Sequence, residues 1–210
     1  MRSTIQGATL SATLASVFLL GGCVLGTRNP TLTYPPAADA THAAVAATAE
    51  QSPPNHIRIV LGPFRDERSD KRTVGTTRNA FGMRMADVVP TNDVSEWVRR
   101  AIKTELEHNG YTVLDERGEQ GSPGSGIVLS GDVLNVFCDM YISYTGQVSL
   151  IVRLSRDGKE LLNKHYAGEG SAGLAVAATS DSYARSLALA LSSALKKLVA
   201  DLNETLRAEQ

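Results

Sequence analysis

Residues 146–168, GQVSLIVRLSRDGKELLNKHYAG, decide how this chain folds. Val148, Leu150, Val152 and Leu154 recur at every second position, the period of a half-buried strand. Arg156-Asp157-Gly158-Lys159 then reads as a tight turn, because Asp-Gly tolerates the positive φ angles of a two-residue hairpin loop. Residues 160–168 return as the antiparallel partner. Upstream, 127–137 is a second strong strand, 111–114 a short one, and 115–126 a polar, Gly-rich loop. Ile57, Ile59 and Leu61 mark a further strand over 55–64, with Pro63 expected at a sheet margin because it cannot donate to a ladder. Residues 171–179, small in their side chains, read as a loose connection.

Two helices accompany these strands. Asp93-Val94-Ser95-Glu96 has the form of a capping box. Val94, Trp97, Val98, Ala101, Ile102 and Leu106 follow it at helical spacing, and Asn109-Gly110 supplies the stop. The second helix is expected over 181–208, where Ala184, Leu187, Leu191, Ala194, Leu195, Leu198, Leu202 and Leu206 form one apolar stripe. A structureless connection over 65–91 would be long for a small domain. A hairpin is therefore expected there, with arms 73–79 and 83–89 and Ala80-Phe81-Gly82 at its turn. The sum is an α+β single domain: a mostly antiparallel sheet of about five or six strands with two helices packed on one side.

The chain begins differently. Arg2 is followed by an apolar stretch, 8–20, broken only by Thr and Ser, then by Leu20-Gly21-Gly22-Cys23. The stretch is shorter than the roughly 20 apolar residues of a spanning helix and reads as a secretion signal. Leu20, Gly21, Gly22 and Cys23 resemble the lipobox of bacterial lipoproteins, in which a lipid joins the thiol and a peptidase cuts before it. The resemblance implies a signal peptide over 1–22 and lipidation at Cys23, with a diacyl group on sulfur and a further acyl chain such as palmitate on nitrogen. Val24 follows, where an Asp would favour retention in the inner membrane, so the expected location is the outer membrane, facing the periplasm. Residues 24–55 are rich in Pro, Ala and Thr and, with Cys23, read as a flexible tether, 23–55, carrying a periplasmic domain over 56–208.

Composition limits the remaining functions. The formal charge is −1, and loss of Arg2, the only charge in 1–22, makes it −2. That balance offers nothing to nucleic acid, and 5% aromatic content offers no stacking platform. With Cys23 committed to lipid, Cys138 has no partner for an internal disulfide and reads as a buried thiol in an apolar strand.

The layout is similar to the YajG-like family of bacterial lipoproteins. The local matches are the Cys23 lipobox, Phe64-Arg65-Asp66-Glu67-Arg68-Ser69-Asp70-Lys71, Gly75-Thr76-Thr77-Arg78-Asn79, Ala86-Asp87-Val88, and the helix leading to His108-Asn109-Gly110-Tyr111. The tether is longer than the family leads one to expect. The resemblance implies location and fold and carries no assigned activity.

Chemistry-bearing motifs are sparse. His42, His56, His108 and His165 lack metal-ligand spacing. Gly168-Glu169-Gly170-Ser171-Ala172-Gly173 has the spacing of a dinucleotide loop without its strand-to-helix setting. No catalytic residue, metal or cofactor is expected. Arg65, Asp66, Arg68, Lys71, Arg78, Asn79, Phe81, Met83, Met85 and Asp87 mix charge with aromatic and Met side chains, the types enriched in interfaces, and form a candidate patch for an envelope protein partner. The expected function is a lipid-anchored, non-enzymatic interaction or envelope-assembly module. The alternatives are a binding module for peptidoglycan or a lipid or small-molecule ligand, and a periplasmic hydrolase with an unrecognised site.

Overall fold

The alternating and helical patterns become seven strands and two helices: β1 (Arg58–Asp66), β2 (Gly75–Arg78), β3 (Arg84–Val88), α1 (Val94–His108), β4 (Thr112–Asp115), β5 (Ile127–Met140), β6 (Ser143–Arg156), β7 (Lys159–Leu174) and α2 (Ser180–Ala208). The computed structural model describes residues 26–35, 57–115, 126–175 and 178–209. The signal segment, Cys23 and most of the expected tether therefore lie outside the described residues. The loop expected over 115–126 does as well, apart from its two ends.

The fold is α+β, as the sequence leads one to expect, but its sheet is mixed rather than mostly antiparallel. β5 is the spine. Along one edge it pairs antiparallel with β6 over nearly its whole length, from Ile127↔Arg156 to Met140↔Tyr144. The other edge is shared. Its first half pairs in parallel with β1, from Ile59↔Ile127 to Asp66↔Val133, and its last residues pair in parallel with β2, Gly75↔Cys138 to Thr77↔Met140. β4 adds in parallel to β1, β3 adds antiparallel to β2, and β7 closes the far edge on β6. The parallel pair β1 and β4 follows from α1 lying between them in sequence, since a helical crossover returns the chain in its original direction.

Pro63 does not end β1. The strand runs on to Asp66, and a register shift between Leu61 and Phe64 absorbs the residue that cannot donate. The hairpin over 73–89 is present, with shorter arms than expected and Gly82 at φ +79° in its turn. The Asp157-Gly158 turn has φ +51° and +81°, the conformation that the sequence requires there.

Asp93 caps α1, accepting from the Glu96 amide at 2.7 Å. The Glu96 carboxylate holds Arg99 at 2.9 Å, and the same guanidinium reaches Asp115 at the end of β4. Both helices feed one apolar cluster: Trp97, Ile102 and Leu106 from α1 meet Ile59, Leu61 and Leu129, while Leu187, Leu191 and Leu198 from α2 belong to the same core as Val148, Leu150 and Val152.

The Gly-rich run of residues 168–173 is neither a dinucleotide loop nor a loose connection. It is the second half of β7, and α2 lies against its backbone. A Cβ on Gly168 would stand 2.1 Å from the Ala190 carbonyl oxygen, one on Gly170 2.4 Å from the Ala190 amide, and one on Gly146 of β6 2.6 Å from the Ser186 carbonyl. These glycines are required by the close approach of helix to sheet. Ser186 completes the seam by donating to the Gly170 carbonyl at 2.9 Å.

Residues 26–35 fall in the stretch expected to be a tether, yet they pack on the domain. Arg28 forms a parallel bridge with Val88, its amide donating to the Asp87 carbonyl at 3.1 Å and its carbonyl accepting from Val89 at 2.8 Å. Leu32 is buried and clamped by Asn92, whose side chain accepts from its amide and donates to its carbonyl. The Tyr34 hydroxyl donates to Glu105 of α1 at 2.8 Å.

Gly168→Val places branched carbons where the α2 backbone now lies, and overpacking of this kind costs about 3 kcal/mol. Urea unfolding should show that loss, with a midpoint far below the parent's. Gly62→Ala, whose added carbon would meet its nearest neighbour at 3.4 Å, should stay within about 1 kcal/mol of the parent.

Candidate functional site

The candidate patch is built on the loop from β1 to β2 and on the β2–β3 hairpin, and the structure divides it in two. The first part is organised by Arg68, whose side chain is 4% exposed. Its Nε and Nη2 bond the two carboxylate oxygens of Asp66 at 2.9 Å each, a bidentate pair. The same guanidinium donates to the Thr73 carbonyl at 2.7 Å and the Lys71 carbonyl at 2.9 Å. Asp70 holds the far side of the loop, accepting from the Thr73 hydroxyl at 2.6 Å and from the Arg72 and Thr73 amides. The Thr73 hydroxyl bond leads the causes that hold its carboxyl below the ordinary range. Arg65 and the Lys71 side chain are exposed.

The second part is the hairpin. Arg78 bonds Asp139 at 2.8 Å and the Gly82 carbonyl at 3.0 Å. Asn79 accepts from the amides of Phe81 and Met83, both at 3.0 Å, which fixes the turn. Asp87 takes Arg72 on one oxygen, at 2.6 Å, and Arg84 on the other. Met85 is half-buried. Between the two parts lies a shallow pocket of about 190 Å³, lined by Arg68, Asp70, Thr73 and Arg84 with Asn135 and Phe137 of β5. Both guanidiniums lining it are already paired with carboxylates, Arg68 with Asp66 and Arg84 with Asp87. The geometry spends these charges on holding the loop and the hairpin.

Sequence reasoning did not find the surface that the hairpin turn joins. Phe81 is 86% exposed and Met83 58%, and beside them stand Tyr141 (44%), Ile142 (68%) and Leu174 (74%). The Tyr141 hydroxyl donates to the Ala80 carbonyl at 3.1 Å, and the Ala175 amide donates to the Ile142 carbonyl at 2.9 Å. Ser143 pairs with Leu174. Two turns and the end of β7 therefore meet at one end of the sheet. The signal in the sequence was the uncharged Tyr141-Ile142 pair, hidden by reading β5 as ending at residue 137 and β6 as beginning at 146.

A second pair also escaped sequence reasoning. Ser149 Oγ and His165 Nε2 lie 2.6 Å apart. They sit on adjacent strands of the open sheet surface, outside the pocket, and among the described residues no carboxylate bonds the other ring nitrogen. A nucleophile needs both a base that is oriented and a place for substrate, and this pair has neither. Cys138 is fully buried, and burial pushes its thiol up to about 12. Among the described residues no group of three or more His, Cys, Asp or Glu could hold a metal ion, and no helix is long and apolar enough to cross a membrane.

A family model described as "Uncharacterized lipoprotein" matches residues 48–206. No curated protein matches the chain. Among solved structures, the chain is similar to a Xanthomonas campestris protein of family DUF330, with 12% identity, 88% of this chain and 98% of that one covered, and a TM-score of 0.56. It is similar also to an uncharacterized protein, with 9% identity, coverage of 84% and 99%, and a TM-score of 0.53. A hypothetical protein from Chlamydia trachomatis aligns at 10% identity over 73% of this chain and 99% of its own, with a TM-score of 0.48. At such identities the first two likenesses show a shared fold.

Arg68→Met removes the cation bonded to the largely buried Asp66 carboxylate and takes the donor from two carbonyls. Loss of one partner from such a pair costs about 3 kcal/mol, and urea unfolding should show it. Arg72→Met, at a side chain 73% exposed, should change stability by less than about 0.5 kcal/mol. Alkaline pH supplies a second check. Burial raises Cys138 from 9.0, Tyr111 from 10.0 and Tyr183 from 10.0, each to about 12. The unfolded chain therefore releases these protons first. The stability they confer is intact below pH 9 and drains away as pH climbs towards 12. The urea midpoint should be flat from pH 7 to 8.5 and fall steeply above it.

Proposed function

This chain belongs to the uncharacterized lipoprotein family, and from that premise we propose that it is a non-enzymatic module held by lipid on the periplasmic side of the outer membrane. Signal cleavage after Gly22 leaves Cys23 as the lipidated N-terminus, and Leu20, Gly21 and Gly22 are what the peptidase recognises. The observation that carries this reading is the sequence around Cys23: a short apolar stretch, two glycines and a thiol, in a chain whose family is one of lipoproteins. Two or three acyl chains on one residue give stable anchoring, where a single chain is marginal. Val24 in place of an acidic residue supports the outer membrane as the destination.

A non-enzymatic role is supported by where the charges go. Asp66, Arg68, Arg78, Arg84 and Asp87 each spend their charge on an ion pair, so they fix a surface rather than wait for a substrate. On this reading the module supports envelope assembly through a protein partner, met by the exposed Arg65 and Lys71 beside the shallow pocket.

Growth with a labelled fatty acid should mark the full chain, and fractionation should place it with the outer membrane. Cys23→Ala should lose the label, keep its signal segment and leave the outer-membrane fraction. An unlabelled parent chain would sink the anchored reading.

A further inference from the structure

Five large apolar side chains at one end of the sheet point to a second contact with the membrane. We infer that Phe81, Met83, Tyr141, Ile142 and Leu174 seat this end of the domain in the lipid surface, beside the anchor. The inference rests on the reading of Cys23 as the lipidated residue.

Three observations carry it. The first is chemistry. Residues 79–83, 140–145 and 171–175, which form the converging turns and strand end, contain no charged side chain. Exposed apolar side chains grouped on one surface mark a site of contact with a membrane or a protein. Arg78 and Arg84, which flank the hairpin turn, are held in ion pairs with Asp139 and Asp87, so the nearest charges are neutralised within the domain. The side chains ride on turns that project from the sheet end, a shape suited to entering a soft surface, and aromatic rings with one polar edge favour the interfacial zone.

The second is the direction of the chain. The bridge of Arg28 with Val88 is parallel, and β3 runs from Arg84, next to the turn, to Val88, away from it. Moving back from Arg28 to Gly26 therefore moves towards Phe81 and Met83. The domain is entered from the apolar end.

The third is reach. Five residue steps lead from Cys23 to Arg28, and a fully extended chain covers at most ~18 Å over them. The way back along β3 from Val88 to Met83 is also five residues, or ~17 Å. At full extension along that direction the anchor would reach the level of the turns and little beyond. A bilayer holding Cys23 lies against that end of the molecule. The opposite end carries the Asp157-Gly158 turn and Glu209, which meets Lys159 at 3.8 Å, and it faces away.

The test uses the full lipidated chain in phosphatidylethanolamine–phosphatidylglycerol vesicles containing brominated phosphatidylcholine. Trp97, buried in the core, gives a constant background. Phe81→Trp and Ile142→Trp add a reporter to positions that are exposed, so folding is undisturbed, and Lys159→Trp adds one at the far end. The expected result is a blue-shifted emission and a roughly twofold loss of it for Phe81→Trp and Ile142→Trp when the bromines lie near the headgroups, a depth of about 5–10 Å. Lys159→Trp should be unaffected. A lipidated chain in which Phe81→Trp is untouched by bromine and quenched by aqueous iodide would overturn the seat and leave the anchor standing. So would protection of that reporter only when envelope proteins are added, which would make the surface a protein contact. A mature N-terminus whose mass shows no acyl group would overturn the anchor, and the seat with it.

Discussion

The guanidinium of Arg68 holds the sheet together where one edge of β5 passes from β1 to β2. β5 lends one edge to two strands in succession, β1 up to Val133 and β2 from Cys138. The chain must leave the first, cross the gap and rejoin the second alongside the same neighbour. Glu67 donates to the Val133 carbonyl at one side of the gap, and Cys138 donates to the Val74 carbonyl at the other. Between them the loop makes no ladder, and its backbone groups need other partners. Arg68 supplies them for Lys71 and Thr73 while Asp66 neutralises its charge. Without that group, β2 and its hairpin would be attached to the sheet by a few bonds at the end of β5.

The placement of β2 then decides what stands at the end of the sheet. Because β2 runs parallel to β5, its turn with β3 emerges on the same side as the turn from β5 to β6. The end of β7 lies there too, opposite Ser143. The glycine seam keeps this half of the molecule in register. α2 approaches the β6 and β7 backbones closely enough that Gly146, Gly168 and Gly170 admit no side chain, so neither strand can slide without lifting the helix. α2 also begins here, with the Thr179 amide donating to the Tyr144 hydroxyl at 3.0 Å. The apolar end is thus set by the longest elements of the fold, although its side chains ride on turns.

Local signals in the sequence were legible, and long-range pairing was not. The Asp157-Gly158 turn, the Asp93 cap and the leucine stripe of α2 each act within a few residues, where spacing alone identifies them. The direction of a pairing leaves no such mark. Ile59 and Leu61 alternate in the same way whether β1 meets a parallel or an antiparallel partner, so a mostly antiparallel sheet was a fair reading of a mixed one. Pro63 and the Gly-rich end of β7 misled for one reason. Both are usually read as breaks, and here a register shift and a close helix made them parts of strands. The ion pairs of the candidate patch could be guessed from its composition. Tyr141, Ile142 and Leu174 could not be placed beside Phe81, because only the parallel register of β2 with β5 brings them together.

The docked segment 26–35 changes what the Ala- and Pro-rich stretch can do. A tether between a lipid and a domain sets how far the domain stands from the bilayer. Here that stretch lies after the docked residues rather than before them. Pro30 and Leu32 are buried while Thr31 and Thr33 are exposed, an alternation that a Pro- and Thr-rich composition conceals. On the proposed anchoring at Cys23, the span between lipid and domain is the few residues before Arg28, and 36–56 is an internal connection whose length has no bearing on height. On that proposal the domain would be held on a short leash with one end towards the membrane, and whatever it engages would have to come to that surface.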